Sequence, residues 1–127
     1  MPTVERIEQF IARVEANAHA EAIAEFYTEN ASMRENQQAP RVGRAALIAG
    51  EQKFLARLAH VTSQCVRPVL VAGDTIVVRW IFNFVLVDGS RIDMEELAYQ
   101  RWDGDRIAEE QFFYDPAQMV PKAPAGA

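Results

Sequence analysis

Between Thr3 and Tyr27, apolar side chains recur at spacings of three and four: Val4, Ile7, Phe10, Ile11 and Val14, then Ala20, Ile23, Ala24 and Tyr27. Each set marks one face of an amphipathic helix, because a period of 3.6 residues stacks such positions on one side. Thr3 is placed to cap the first helix, Glu5 suits its first turn, and Asn17 stands before the second. Residues 31–36 alternate weakly and predict a short strand, followed by a polar loop over 37–43. Leu47, Ile48, Phe54, Leu55 and Leu58 predict a third helix with Gly50 inside it and His60 at its end. Beyond His60 come four runs rich in β-branched and aromatic residues, 61–72, 75–87, 90–102 and 106–114. Gly73-Asp74, Asp88-Gly89 and Asp103-Gly104 separate them. Asp-Gly between apolar stretches is a strong hairpin signal, since type I′ turns need the positive φ that Gly and Asp tolerate. The runs are therefore a meander of long antiparallel strands, and strands this long twist enough to curl the sheet around the helices.

Composition narrows the classes of function. The 127 residues suffice for one domain with a sizeable core. The formal net charge of -5 and the absence of a Lys/Arg stripe argue against nucleic-acid binding. The single Cys65 lies in an apolar strand, reads as a packed residue and points to a reducing compartment. The N-terminus lacks a basic segment followed by an apolar run, and no stretch reaches the length of a membrane span. The expectation is a cytoplasmic protein without a membrane partner. No His, Cys and carboxylate cluster has metal-site spacing, and no Gly-rich phosphate loop occurs, so neither metal nor cofactor is expected. The Pro/Ala-rich residues 117–127 read as a mobile tail on a single domain of residues 1–116.

The order helix, helix, short strand, helix, then a four-stranded meander resembles the cone-shaped fold of nuclear transport factor 2, shared by SnoaL-like polyketide cyclases, steroid delta-isomerases, scytalone dehydratase and limonene epoxide hydrolases. Local marks of the resemblance are Glu25-Phe26-Tyr27-Thr28-Glu29-Asn30-Ala31, Val42-Gly43-Arg44-Ala45-Ala46-Leu47, Trp102-Asp103-Gly104-Asp105-Arg106-Ile107 and Glu110-Gln111-Phe112-Phe113-Tyr114-Asp115. It implies an α+β fold, with three N-terminal helices packed against a strongly curved, mostly antiparallel sheet that encloses a pocket. It leaves the chemistry open, since one scaffold hosts many activities. The isomerases' general base, an Asp late in the first strand, corresponds to Glu35. Their oxyanion-hole Tyr and protonated Asp correspond to Ile11 and Ala98, so both donors are missing and steroid-type isomerisation is disfavoured.

Side chains of the central hairpin sort by register. If Asp88-Gly89 is a two-residue turn, Val87 faces Ser90, Asn83 faces Met94, Ile81 faces Glu96 and Arg79 faces Ala98. Matching to the isomerases then turns Arg79, Asn83, Glu96 and Trp102 inward, with Glu110, Phe112 and Tyr114 of the last strand. Trp80, Phe82, Phe84 and Leu97 fall on the outer face, an apolar row large enough to imply a homodimer. Apolarity alone reverses that assignment, and one bulge would flip it. The expected site has Glu35 and Glu110 as catalytic carboxylates, with Arg79, Asn83, Glu96, Phe112, Tyr114 and Trp102 contacting a small hydrophobic ligand. His19 and His60 read as surface residues. Two readings follow: a cofactor-free isomerase, cyclase, lyase or hydrolase working by carboxylate acid–base chemistry, or a non-catalytic small-molecule binder or dimeric interaction module.

Overall fold

In the computed structural model, which describes residues 1–124, Thr3 caps the first helix, its hydroxyl accepting from the Arg6 amide at 3.0 Å. That helix, α1 (Val4–Glu15), buries Ile7, Phe10, Ile11 and Val14 and leaves Val4 in solvent. Asn17 takes a positive φ of 64° and turns the chain, instead of capping α2 (His19–Phe26). Strand β1 (Tyr27–Glu35) starts at once, so Tyr27 opens a strand rather than ending a helical stripe. The loop after it contains the short strand β2 (Arg41–Val42) and leads to α3 (Arg44–Leu55). Leu58 and His60, expected on the third helix, belong instead to β3 (Leu58–Ala72). The meander continues through β4 (Thr75–Leu86), β5 (Arg91–Asp103) and β6 (Arg106–Phe113), within one or two residues of the predicted strand ends.

All six strands form one curved sheet in the order β2-β1-β6-β5-β4-β3, antiparallel except where β1 runs parallel to β6. The helices cover its concave face, and the core lies between. Phe10 of α1 stands at the centre, edge-to-face against Phe26, Tyr27, Trp80 and Trp102 at centroid distances of 5.5 to 6.5 Å. The fold is therefore α+β, as expected. Among the described residues no helix is long and apolar enough to cross a membrane.

The β4–β5 register differs by one residue from the expectation. Leu86 pairs with Ser90 through a 2.8 Å amide bond, so Val87, Asp88 and Gly89 form a three-residue loop. Gly89, at φ 88°, supplies the left-handed position such loops use. Phe82 consequently faces Met94, Trp80 faces Glu96 and Val78 faces Ala98. The side-chain period of two then turns Trp80, Phe82 and Phe84 into the core and leaves Arg79 and Asn83 outside. The aromatic row that suggested a dimer is thus interior, and that reason for an interface is withdrawn. A bulge at Ala108, between the Arg101–Glu109 and Trp102–Ile107 pairs, lets Ile107 and Glu110 both point inward despite their odd spacing.

The C-terminal segment is held rather than loose as far as it is described. Asp115 accepts from the Ala117 amide and starts a 3₁₀ turn (Pro116–Met119). The Gln118 side chain bonds the backbone of Glu95 twice, at 2.8 and 3.1 Å. Arg91 and Lys122 exchange backbone hydrogen bonds of 3.0 and 2.7 Å. Positions 125–127 of the expected mobile tail lie outside the described residues.

Candidate functional site

Curvature of the sheet under the helices leaves a cavity of about 420 Å³. Its walls are mainly apolar: Phe10, Val14 and Ile23 from the helices, Trp80, Phe82 and Phe84 from β4, and Met94 from β5. The three β4 aromatics form a ladder of near-parallel rings, 5.5 and 5.7 Å apart, that Phe54 of α3 closes edge-on at 5.0 Å. Alternate β4 residues make such a ladder because they lie on one face of the strand. Glu35 and Arg41 stand where β1 and β2 reach solvent. The Arg41 guanidinium donates to both Glu35 oxygens, at 2.5 and 3.2 Å.

Deeper in the pocket, Glu110 of β6 is buried and held from two sides. The Tyr27 hydroxyl donates to its Oε1, and the Gln100 amide donates to its Oε2 at 2.7 Å. Gln100 is oriented in turn by the Trp102 indole N–H, which donates to its Oε1 at 3.0 Å. All these groups are buried, so the chain Trp102, Gln100, Glu110, Tyr27 is a closed polar network in a low-dielectric interior. Burial pushes the Glu110 carboxyl up to about 7, against the two donors that favour its ionised form. Burial, and then the Glu110 charge, push the Tyr27 hydroxyl well above the ordinary tyrosine range.

Glu96 of β5 lines the same cavity and is 8% exposed. Among the described residues it has no hydrogen-bond partner, whereas Glu110 has two. Burial first, then the charges of Glu110, Glu35 and Glu51, raise its carboxyl well above the usual range. Desolvation chiefly, with the Glu35 charge, also raises the Tyr114 hydroxyl.

Of the residues expected from sequence, Glu35, Glu96, Glu110, Phe112 and Tyr114 meet in this cavity. Arg79 and Asn83 do not. They are exposed on the outer sheet face, where Arg79 pairs with Glu95, and Asn83 donates to Asp93 at 2.9 Å. The one-residue register shift moved both. Trp102 is fully buried behind Gln100 and acts on the site only through it. His19, expected at the surface, is 8% exposed and lines the pocket. Its Nε2 lies 2.8 Å from Ser63 Oγ, which donates to Asn17 Oδ1, and its Nδ1 lies 3.5 Å from Glu51 Oε1. A signal for it existed in the sequence: His19, Ile23 and Phe26 share the helical face that is buried. Tyr27 and Glu51 were also missed, Tyr27 because a strand follows its helix without a loop. Among the described residues no three His, Cys, Asp or Glu side chains are grouped to hold a metal ion.

Residues 7–110 match the family model of the SnoaL-like domain. Solved structures of similar fold include an NTF2-like protein of unknown function from Burkholderia pseudomallei, 12% identical, covering 91% of this chain and 92% of that one with a TM-score of 0.77. Another is a protein with a ketosteroid isomerase-like fold from Catenulispora acidiphila, in complex with trimethylamine: 14% identical, coverage 93% and 91%, TM-score 0.76. A third is an LEH-like epoxide hydrolase from M. tuberculosis, 11% identical, coverage 91% and 84%, TM-score 0.74. At these identities the likeness is one of fold. No curated protein matches the sequence.

Proposed function

Because the chain belongs to the SnoaL-like domain family, we propose that it takes a small, largely apolar molecule into the interior cavity and exchanges a proton with it through Glu110. The observation that carries this reading is the setting of Glu110: a buried carboxyl at the cavity wall, oriented by Tyr27 and Gln100, with its pKa raised to about 7. A group balanced near neutrality is at its most effective for moving protons, since both forms are populated at working pH. Neighbours of the same fold include an LEH-like epoxide hydrolase and a protein in complex with trimethylamine, which is in keeping with a small-molecule ligand.

The step is removal of a proton from carbon beside a carbonyl. The C–H bond breaks, its electron pair moves toward the carbonyl oxygen, and an O–H bond forms on Glu110. Return of that proton to a different carbon would isomerise the substrate, and attack by the enolate on a second carbonyl would close a ring. Aromatic walls make the interior largely apolar, and the Glu35–Arg41 pair stands at its polar rim. Phe112 and Tyr114 shape the cavity next to the carboxyls.

Deuterium exchange into small ketones, followed by NMR in heavy water, tests this directly. Glu110→Gln should exchange at least about 100-fold more slowly than wild type. A folded Glu110→Gln protein that exchanges at the wild-type rate would remove Glu110 from the reaction.

A further inference from the structure

We propose that the molecule this cavity selects is a small organic cation, an apolar body bearing an ammonium group, with Glu96 as its counter-ion. The inference rests on the pocket reading above and adds the ligand's charge. Glu96 is the starting observation: more than nine-tenths buried, at the cavity wall, and without a hydrogen-bond partner among the described residues. Its carboxyl oxygens open onto the cavity instead of being sealed in the protein, so what enters the cavity is placed to become their partner.

The surrounding charges decide the sign of that partner. From β6 and β1, Glu110 and Glu35 face the cavity, and from α3, Glu51 does. Among the described residues lining the cavity, the Arg41 guanidinium is engaged by both oxygens of Glu35, and the His19 ring of α2 lies between Ser63 and Glu51. The hydroxyl of Tyr27 is committed to Glu110. Tyr114 adds a hydroxyl but no positive charge. An anionic ligand would therefore meet carboxylates with no free guanidinium or ammonium group among the described lining residues to oppose them. A neutral ligand would gain one hydrogen bond from Glu96, whereas a cation gains attraction from Glu96 and Glu110 together, between largely apolar walls. Binding then drives a proton off Glu96, because the ionised form gains the partner it lacked.

A cationic substrate also answers a need of the proton-transfer step. The Tyr114 hydroxyl lines the cavity as a neutral donor, and a positive charge on the substrate itself, near the carbon that loses its proton, would do more to offset the charge of a developing enolate.

The test uses a matched pair: benzyltrimethylammonium, which carries a fixed charge, and neopentylbenzene, its uncharged carbon isostere. Trp80 fluorescence and calorimetry measure binding to the intact protein. We expect the cation to bind about tenfold or more tightly than the isostere near pH 8. Its affinity should fall toward about pH 5.5 as the pocket carboxyls hold their protons, and binding should release protons when titrated in buffers of different ionisation enthalpy. Glu96→Gln should lose the preference while still binding the isostere. Equal or tighter binding of the isostere would overturn the cation assignment and leave the pocket reading standing. Binding of neither would overturn both. A wild-type affinity for the cation that does not change with pH would remove the carboxyls from its recognition, whether or not Glu96→Gln folds.

Discussion

Glu110 is drawn in opposite directions by its surroundings: burial disfavours its charge, while Tyr27 and Gln100 donate to it and favour that charge. Burial wins, and the sign of the pH dependence follows. Between the ordinary value of 4.5 and about 7, the unfolded chain has released this proton and the folded chain still holds it. The contribution of Glu110 to stability is therefore fullest below 4.5 and is lost as pH rises to about 7, in the same direction as the contribution of Glu96. Surface carboxylates lowered by their partners, such as Glu8 with Arg67 and Asp93 with Asn83, act instead in more acid solution. Glu110→Gln should unfold in urea with a free energy higher than wild type by about 1 to 3 kcal/mol near pH 8, and the gain should vanish toward about pH 5. An unfolding curve for wild type that is flat across that window would contradict the assignment. Tyr27→Phe removes a donor to the ionised form, so the midpoint of any pH–activity profile should move to higher pH. A midpoint that moves down would mean that Tyr27 had been stabilising the neutral acid.

Register, at the level of strands, separates what the sequence disclosed from what it hid. Strand limits were readable because turn dipeptides interrupt long apolar runs, a local signal. The inward set of β5, with Glu96, and of β6, with Glu110 and Phe112, and Tyr114 just beyond it, was readable from resemblance to a family. The β4 set was then derived from β5 through an assumed two-residue turn, and it slipped by one. Asp88 explains why: its Oδ1 accepts from the Ser90 amide at 2.9 Å and from the Ser90 hydroxyl, which stabilises the longer loop closed by Leu86 and Ser90. Asp-Gly-Ser carried that alternative, and the apolar alternation from Ile76 to Leu86 favoured it. Gly89 is the position the loop depends on, at φ 88°, and a Cβ there would also stand 3.4 Å from Pro124. Gly89→Ala should cost about 1 to 2 kcal/mol in urea unfolding. An unchanged midpoint would show that the loop relaxes freely.

For the whole molecule, the consequence of the observed register is that the aromatic ladder holds the helices to the sheet and cannot join two copies of the chain. Phe84 is 5% exposed, stacks on Phe82 and meets Phe54 of α3 edge-on. Removing a buried phenyl ring costs roughly 3 to 5 kcal/mol. Placing an unpaired carboxylate in the same apolar space adds a further penalty, and the total rivals the roughly 5 to 15 kcal/mol that hold a domain together. Phe84→Asp should therefore abolish the cooperative thermal transition and the near-ultraviolet circular dichroism of the packed tryptophans, at any protein concentration. Had the ladder faced outward, the same substitution would have left a folded chain and changed only its sedimentation. Both measurements on one variant decide between core and interface: a folded Phe84→Asp protein of reduced mass would place the ladder outside, and a protein without tertiary signal places it where Phe10 and Phe54 already meet it.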